Sequence, residues 1–338
     1  MLKYSVVMPI YRRAEVLPLC LNSIKLQTLK PNEIIVVDNN DYELETEKLH
    51  SIINNYDFGD QIKIKILKSP KNSGAIARNI GALNAKSDLV AFLDSDVILD
   101  ADYYEILVNY FKRYSDLIAI QGLDRALIEA SKSFKEKNIG KKLLHYFEQF
   151  FETSELLNRK KVYVSPSLAI SHPRVNKKFE FESQWISTCA GVFKRDIFPR
   201  YLFPENFVTY SNNEYIYLSY SLFKNNEGIM LYTSEAKYRD IQTNKGRIDN
   251  IALIYQIQTY DLYIFIKLFP KNIYTILTFL KAKVGQLIFN LLKSFFNRNL
   301  SLKNLFLISI SIFYPFFYFR NILNNDLSFY ERDFYNSI

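Results

Sequence analysis

The sequence predicts an α/β fold: a mostly parallel, Rossmann-like sheet with flanking helices, followed by a helical tail of different composition. Three observations carry this. Apolar strand-like runs alternate with helical patterns through the first hundred residues, which is the signature of a parallel, doubly wound sheet with right-handed crossovers. The run Leu89–Leu93 is unbroken and then meets Asp94, Ser95 and Asp96, as a strand buried on both faces would do on reaching a sheet edge. From about Asn250 onward the chain becomes strongly apolar and basic.

Taken in order, Tyr4–Met8 is a β-branched strand ending at Pro9, and Val16–Gln27 has helical spacing. Glu33–Val37 is a second buried strand, closed by Asp38-Asn39-Asn40-Asp41. A helix from about Glu43 to Asn54 precedes an alternating strand, Lys63–Leu67; Asn72–Ala85 reads as a loop entering a helix. In open α/β sheets ligands sit outside the carboxyl ends of the strands. Pro9-Ile10-Tyr11, Asp38 and the Asp94/Asp96 pair all fall there. Two hard carboxylates two residues apart describe a Mg²⁺ or Mn²⁺ site, or else a solvated turn.

Beyond Ala101 the alternation weakens. Tyr103–Tyr114 is an amphipathic helix and Leu117–Gly122 a short strand. Lys132–Lys161 is charged and reads as helical, either a flap or an insertion packed on the surface. Tyr163–Ala169 and Trp185–Phe193 read as strands.

The 338 residues are 49% hydrophobic, which excludes a disordered chain. Cys20 and Cys189 are too few and too far apart for a disulfide framework or a cysteine-rich zinc site. His50, His145 and His172 show no metal-ligand spacing. No signal peptide is read, so a cytoplasmic start is expected. The net charge of +8 is matched by eight Lys or Arg between Leu262 and Asn325, a stretch with no acid. Basic charge confined to an apolar tail points to a membrane surface with anionic lipids and argues against nucleic acid. Within that tail, Ile273 to Phe295 is amphipathic by period. Leu305–Phe319 is uncharged, short for a span and interrupted by Pro315. It reads as an in-plane or re-entrant contact, with a true span or a helical cap as alternatives.

Neither G-x-G-x-x-G nor a P-loop is present. Four blocks instead stand in order: V-V-M-P-I-Y-R-R (Val6–Arg13), I-V-V-D-N-N (Ile35–Asn40), N-S-G-A-I-A-R-N-I-G (Asn72–Gly81) and F-L-D-S-D (Phe92–Asp96). In these the chain resembles the family 2 glycosyltransferases of GT-A fold over roughly Tyr4–Leu222, with Arg12 where the family usually has Asn. The resemblance implies inverting transfer of one sugar from a nucleotide diphosphate, with UDP expected, to a glycan or lipid-linked acceptor; the basic apolar tail leads to the expectation that this happens at the cytoplasmic face of the membrane. Transfer to a polyprenyl phosphate is an alternative, and a non-catalytic nucleotide-sugar-binding or scaffold protein another. It divides the chain into a donor half (1–100), an acceptor half (101–249) and the membrane-associated tail (250–338).

The resemblance also assigns roles. Pro9 and Tyr11 belong to the donor site. Asp38 accepts from the uracil imide, or is a turn residue. Arg78 contacts base or phosphate, or is a plain surface arginine. Asp94 faces ribose or metal, and Asp96 ligates the metal. Trp185, the only Trp, is a sugar-stacking platform or a core residue. The segment Glu214–Leu222 stands where the family has E-D-x-x-L-x-x-R-L, but Tyr215 replaces the usual base and Ser221 the Arg. Glu214 is the one carboxylate left in the motif and becomes the expected general base, unless it is structural. The family's late metal-binding His is also missing from Ala236–Arg239.

Overall fold

The computed structural model describes residues 2–58, 62–129, 139–153, 155–158, 162–173, 178–241, 243, 250–296 and 302–335. They fall into two compact units, one built from Met1–Phe134 and Val175–Arg247, the other from Lys135–Arg174 and Ile248–Ile338.

The first unit opens with β1 (Tyr4–Ile10), α1 (Leu17–Lys25), β2 (Glu33–Asp38), α2 (Glu43–Asn55), β3 (Lys63–Lys68), α3 (Gly74–Asn84) and β4 (Leu89–Phe92). After β5 (Val97–Leu99), α4 (Tyr103–Arg113) and β6 (Leu117–Asp124), the chain leaves for the second unit. There it forms α5 (Ile139–Phe151), β7 (Leu156–Asn158) and β8 (Ser171–Pro173). It returns with β9 (Glu180–Glu182), β10 (Val192–Lys194), α6 (Glu214–Lys224) and β11 (Ile229–Asp240).

The sheet order is β3-β2-β1-β4-β10-β6-β11-β5, with β9 pairing on β11. Strands β3, β2, β1 and β4 are parallel, whereas β10 runs antiparallel between β4 and β6. The central strands are buried on both faces: every residue of β4 is buried, and so are Ile34–Asp38 of β2. Each fully buried Val, Leu, Ile or Phe contributes about 1.5–3 kcal/mol; β2 ends in Asp38, and Asp94 follows two residues after the end of β4. Ile10 is in register with Asp38, so the carboxyl ends of β1 and β2 share one edge. Helix α3 lies unusually close to β1: a Cβ on Gly81 would stand 2.1 Å from Val7 Cγ1. Its start is capped by Ser73, whose Oγ accepts from the Ile76 N–H at 3.2 Å.

Four sequence expectations need correction. Tyr163–Ala169 is a turn, not a strand. Pro166 removes a ladder donor, Leu168 takes φ 68°, and the Ser165 and Leu168 N–H groups are satisfied within the loop by Ala169 O and Ser165 O. Of Trp185–Phe193 only the end is a strand, because the Ser183 hydroxyl and the Gln121 side chain bind the backbone N–H groups of Trp185 and Ser187. Lys132–Lys161 is helical over Ile139–Phe151, then changes to β7; residues 130–138 and 159–161 lie outside the described residues. The segment Lys135–Arg174, expected in the acceptor half, clusters with the C-terminal helices.

In that second unit the tail folds as α7 (Asn250–Leu268), α8 (Ile273–Phe296), α9 (Leu302–Ser311), α10 (Tyr314–Phe317), α11 (Phe319–Leu323) and α12 (Ser328–Phe334). Gly285 lets α8 approach α5, since a Cβ there would meet the Phe151 Cβ at 2.3 Å. Stacked rings join the helices, Phe265 to Phe279 at 4.4 Å and Tyr318 to Phe329 at 4.1 Å. The stretch Leu305–Phe319 is broken into α9, α10 and the start of α11, with Pro315 in the first turn of α10. Among the described residues, the one helix long and apolar enough to cross a membrane is instead Ile273–Leu292, within α8. Its Ile273, Tyr274, Leu277, Leu280 and Val284 are exposed.

Candidate active site

At the carboxyl ends of β1, β2 and β4 the first unit has a cavity of about 140 Å³. Of the expected site residues, Pro9, Tyr11, Arg78, Asp94 and Glu214 line it. Asp38, Asp96 and Trp185 do not.

The core of the site is a buried ion cluster. Arg78, carried by α3, reaches Asp94 Oδ1 with Nη2 at 2.8 Å and Glu214 Oε1 with Nη1 at 3.0 Å. Its guanidinium is buried, so the plain surface arginine is excluded, and its Nε has no hydrogen-bond partner. Gly74 makes room for it: a Cβ there would stand 3.0 Å from Nη1. Glu214 begins α6, directly after Asn213 in the left-handed region (φ 65°), which aims the carboxylate into the cavity rather than along the helix. Thr188 Oγ1 donates to Glu214 Oε1 at 3.4 Å. Only 4% of Glu214 is exposed. Burial pushes its carboxyl up to about 7, with Asp94 adding to the rise and Arg78 and Thr188 opposing it. A carboxylate poised there can exchange protons near neutral pH.

Asp94 is 22% exposed at its side chain. Its Oδ2 has no donor among the described residues, which leaves one hard oxygen open to the cavity. Asp96 is turned away. Its Oδ2 pairs with Arg13 Nη1 at 2.8 Å and accepts from Thr243 Oγ1 at 3.4 Å. Burial and the Asp94 charge raise its carboxyl, against the pull of Arg13. No group of three or more His, Cys, Asp or Glu side chains is placed to hold a metal among the described residues. The donor set present therefore fits a divalent ion only through Asp94, with the remaining ligands drawn from phosphate and water. Asp96 would have to exchange Arg13 for the ion.

Asp38 departs from its expected role. Its Oδ1 accepts from the Asn40 N–H at 2.9 Å and from Asn40 Nδ2 at 2.8 Å, and its Oδ2 from Thr46 Oγ1 and Lys68 Nζ, both at 2.8 Å. Four donors fill the carboxylate's capacity and leave no lone pair for a uracil imide. Burial works to raise this carboxyl, but Lys68 and the other donors outweigh it and hold it below the usual range. Its neighbour Asn39 does line the cavity, with Oδ1 on the Ser73 N–H at 2.9 Å.

Trp185 is a core residue, 3% exposed, packed against Tyr215 at 6.1 Å and Tyr232 at 5.8 Å. No face is free for a sugar ring. Tyr215 itself lines the cavity. Sequence reasoning also passed over Thr188, Tyr210 and Asn213; the left-handed tendency of Asn-Asn before the Glu was the available signal. Arg12, the departure from the family pattern, sits at φ 50°. Its guanidinium pairs with Asp41 at 2.9 Å and lies over the Tyr11 ring at 4.9 Å and the Tyr42 ring at 4.3 Å. Tyr11 OH donates to the same Asp41 at 3.0 Å, so this group fixes one wall of the cavity.

A mixed, mostly parallel sheet with carboxylates at its strand ends, an antiparallel strand inserted beside β4 and an Arg-bridged acid pair over the edge define a GT-A-type α/β protein. The sequence profile of glycosyl transferase family 2 matches residues 5–179, and the chain belongs to that family. It is 32% identical over 148 residues to the poly(ribitol-phosphate) β-N-acetylglucosaminyltransferase TarP of Staphylococcus aureus, a match covering 42% of this chain and 43% of that protein. It is 33% identical over 121 residues to a cholesterol galactosyltransferase of Borreliella burgdorferi, covering 35% and 32%. The chain thus spans under half the length of these relatives. Among solved structures, Staphylococcus aureus TarS in complex with UDP-GlcNAc superposes with a TM-score of 0.54 at 14% identity, over 95% of this chain and 81% of that one. GalNAc-T7 with UDP, GalNAc and Mn²⁺ gives 0.53 at 14% identity, over 84% and 55%. Both likenesses are of fold.

Proposed function

We propose that the chain is an inverting glycosyltransferase that moves one sugar from a UDP-linked donor to a lipid-linked or cell-surface glycan acceptor, with Glu214 as general base. The observation that carries this is Glu214 itself. A carboxylate raised to about 7 lines the same cavity as the strand-end Asp94 and is joined to it through Arg78. The UDP donor and glycopolymer or lipid acceptors are supported by what the similar proteins are named for.

In this reading the acceptor hydroxyl lies against Glu214. Its proton passes to the carboxylate as its oxygen attacks the anomeric carbon from the face opposite the diphosphate. The anomeric C–O bond to the diphosphate breaks, and its electron pair leaves on the phosphate oxygen. The attack from the far side inverts the configuration. Arg78 offers a fixed positive charge near the developing negative charge, in a buried site where such a charge is worth more than in water. Asp94, with Asp96 if Arg13 releases it, would hold a Mg²⁺ or Mn²⁺ ion. When bound, such an ion neutralises charge on the departing diphosphate.

We place the protein at the cytoplasmic membrane face, through the exposed apolar residues of α8 and the acid-free basic stretch around them. The test of the activity is UDP release from a panel of UDP-sugars with Mn²⁺, with and without glycan or lipid acceptors. Turnover that needs Glu214 supports the transferase. A folded protein that binds UDP-sugar but turns over none is a binding protein instead.

A further inference from the structure

The helical unit holds a second cavity, of about 340 Å³, within the roughly 300–1,000 Å³ span of small-molecule sites. Its apolar side comes from Ile254 and Ile257 of α7, Phe289 of α8 and Ile308 of α9. Its polar side comes from Gln258, Gln286 and Asn290. No charged side chain lines it among the described residues.

The amides are not equally engaged. Lys283 Nζ, buried on α8, donates to Gln258 Oε1 at 2.6 Å and to Asp261 Oδ2 at 2.9 Å. Gln258 Nε2 passes the polarisation on to Gln286 Oε1 at 3.1 Å. That chain engages Lys283, as Glu152, next to Thr153 in the sequence, engages Lys281 at 3.2 Å, and leaves Gln286 Nε2 without an acceptor among the described residues. The side chain of Asn290, partly exposed, makes no hydrogen bond to a described residue, and the buried hydroxyl of Thr153, a further lining residue, has no partner among them. A buried hydroxyl unpaired beside an apolar wall is costly unless a guest or a water completes it, and the two half-exposed amides offer a guest further donors and acceptors.

We propose that this cavity binds an uncharged lipid alcohol of the diacylglycerol class. Its chain lies on Ile254, Ile257, Phe289 and Ile308; its hydroxyl and ester carbonyl oxygens meet the amides of Gln286 and Asn290. The head follows from charge. A phosphate-bearing lipid would bring a negative group to a site whose ammonium is already neutralised by Asp261. A free sugar would leave four apolar side chains unmatched. Access from a lipid phase is consistent with the exposed Leu280, Leu291 and Leu292 on the same α8. The proposal stands on this cavity alone and does not depend on the transferase reading.

The experiment is a titration of the full chain with dioctanoylglycerol and with dioctanoyl phosphatidic acid, below the concentrations at which either aggregates, read by native mass spectrometry. The two probes share chains and differ in head charge. Saturable one-to-one binding of dioctanoylglycerol, at least tenfold tighter than phosphatidic acid, is expected. Gln286→Leu with Asn290→Leu should weaken it at least tenfold while UDP affinity is unchanged. Ile257→Trp, which fills the apolar side, should abolish it, and decides the matter if the double variant does not fold. Equal or tighter phosphatidic acid binding, binding of methyl glucoside in place of the lipid, no binding, or affinity that survives a folded variant would each overturn the proposal.

Discussion

Arg78→Leu is the perturbation that the site's geometry defines most sharply. Arg78 is 7% exposed and bridges two carboxylates at 2.8 and 3.0 Å. Removing one partner of a buried ion pair costs about 3–5 kcal/mol, because the remaining charge is stranded. Glu214 can limit its share by keeping a proton. Its folded value of about 7 lies above the ordinary 4.5, so the folded state holds the extra proton between those two values. The stability this group contributes is therefore full below about 4.5 and falls as pH rises toward 7. In the wild type the fall stops near 7, where Glu214 ionises against Arg78. Without Arg78 the folded value moves higher and the fall continues, at up to about 1.4 kcal/mol per pH unit. The deficit of the variant should thus widen from pH 6 to pH 8. At 2–4 °C per kcal/mol for a unit of this size, a deficit of about 3 kcal/mol lowers Tm by about 6–12 °C at pH 8, and by clearly less at pH 6. Differential scanning calorimetry at both pH values is the assay. A drop below 2 °C at pH 8, or equal drops at both, would refute the bridging role.

Three further outcomes are expected. Glu214→Gln should lower kcat/KM by about 10²–10⁴ and leave UDP affinity intact; the wild-type profile should rise tenfold per unit up to about pH 7 and then level, whereas the variant's should be flat. Gly81→Ala, whose Cβ would collide with Val7 on β1, should cost about 1–3 kcal/mol in denaturant unfolding. In liposome flotation the full chain should rise with anionic vesicles and much less with neutral ones, each engaged Lys or Arg adding about 1 kcal/mol; sedimentation away from both would leave α8 as a structural helix.

What could be read in the sequence was the part fixed by local pattern. The runs at Val6, Ile34 and Leu89 read as doubly buried strands, and the acids that stop the last two, Asp38 and Asp94, stand at the sheet edge. Glu214 stood out through the family resemblance, as the one carboxylate left in its motif, and it lines the cavity. What stayed hidden depends on partners far away in the chain. Asp38 is saturated by Lys68, thirty residues on, and Arg78 reaches an acid on another helix, α6. Trp185 is closed in by Tyr215 and Tyr232. The clustering of Lys135–Arg174 with the tail rests on contacts such as Phe151 on Gly285, which no local periodicity reports.

The claim on which the rest depends is that the cavity at Arg78, Asp94 and Glu214 receives a nucleotide diphosphate. Isothermal titration of the full chain with UDP, in Mn²⁺ and in EDTA, tests it on wild type and Asp94→Asn. Saturable binding that weakens at least tenfold in EDTA, with the Asn variant losing the metal dependence, is the predicted result. UDP affinity that is absent in both buffers, or unchanged by both EDTA and the substitution, would contradict it.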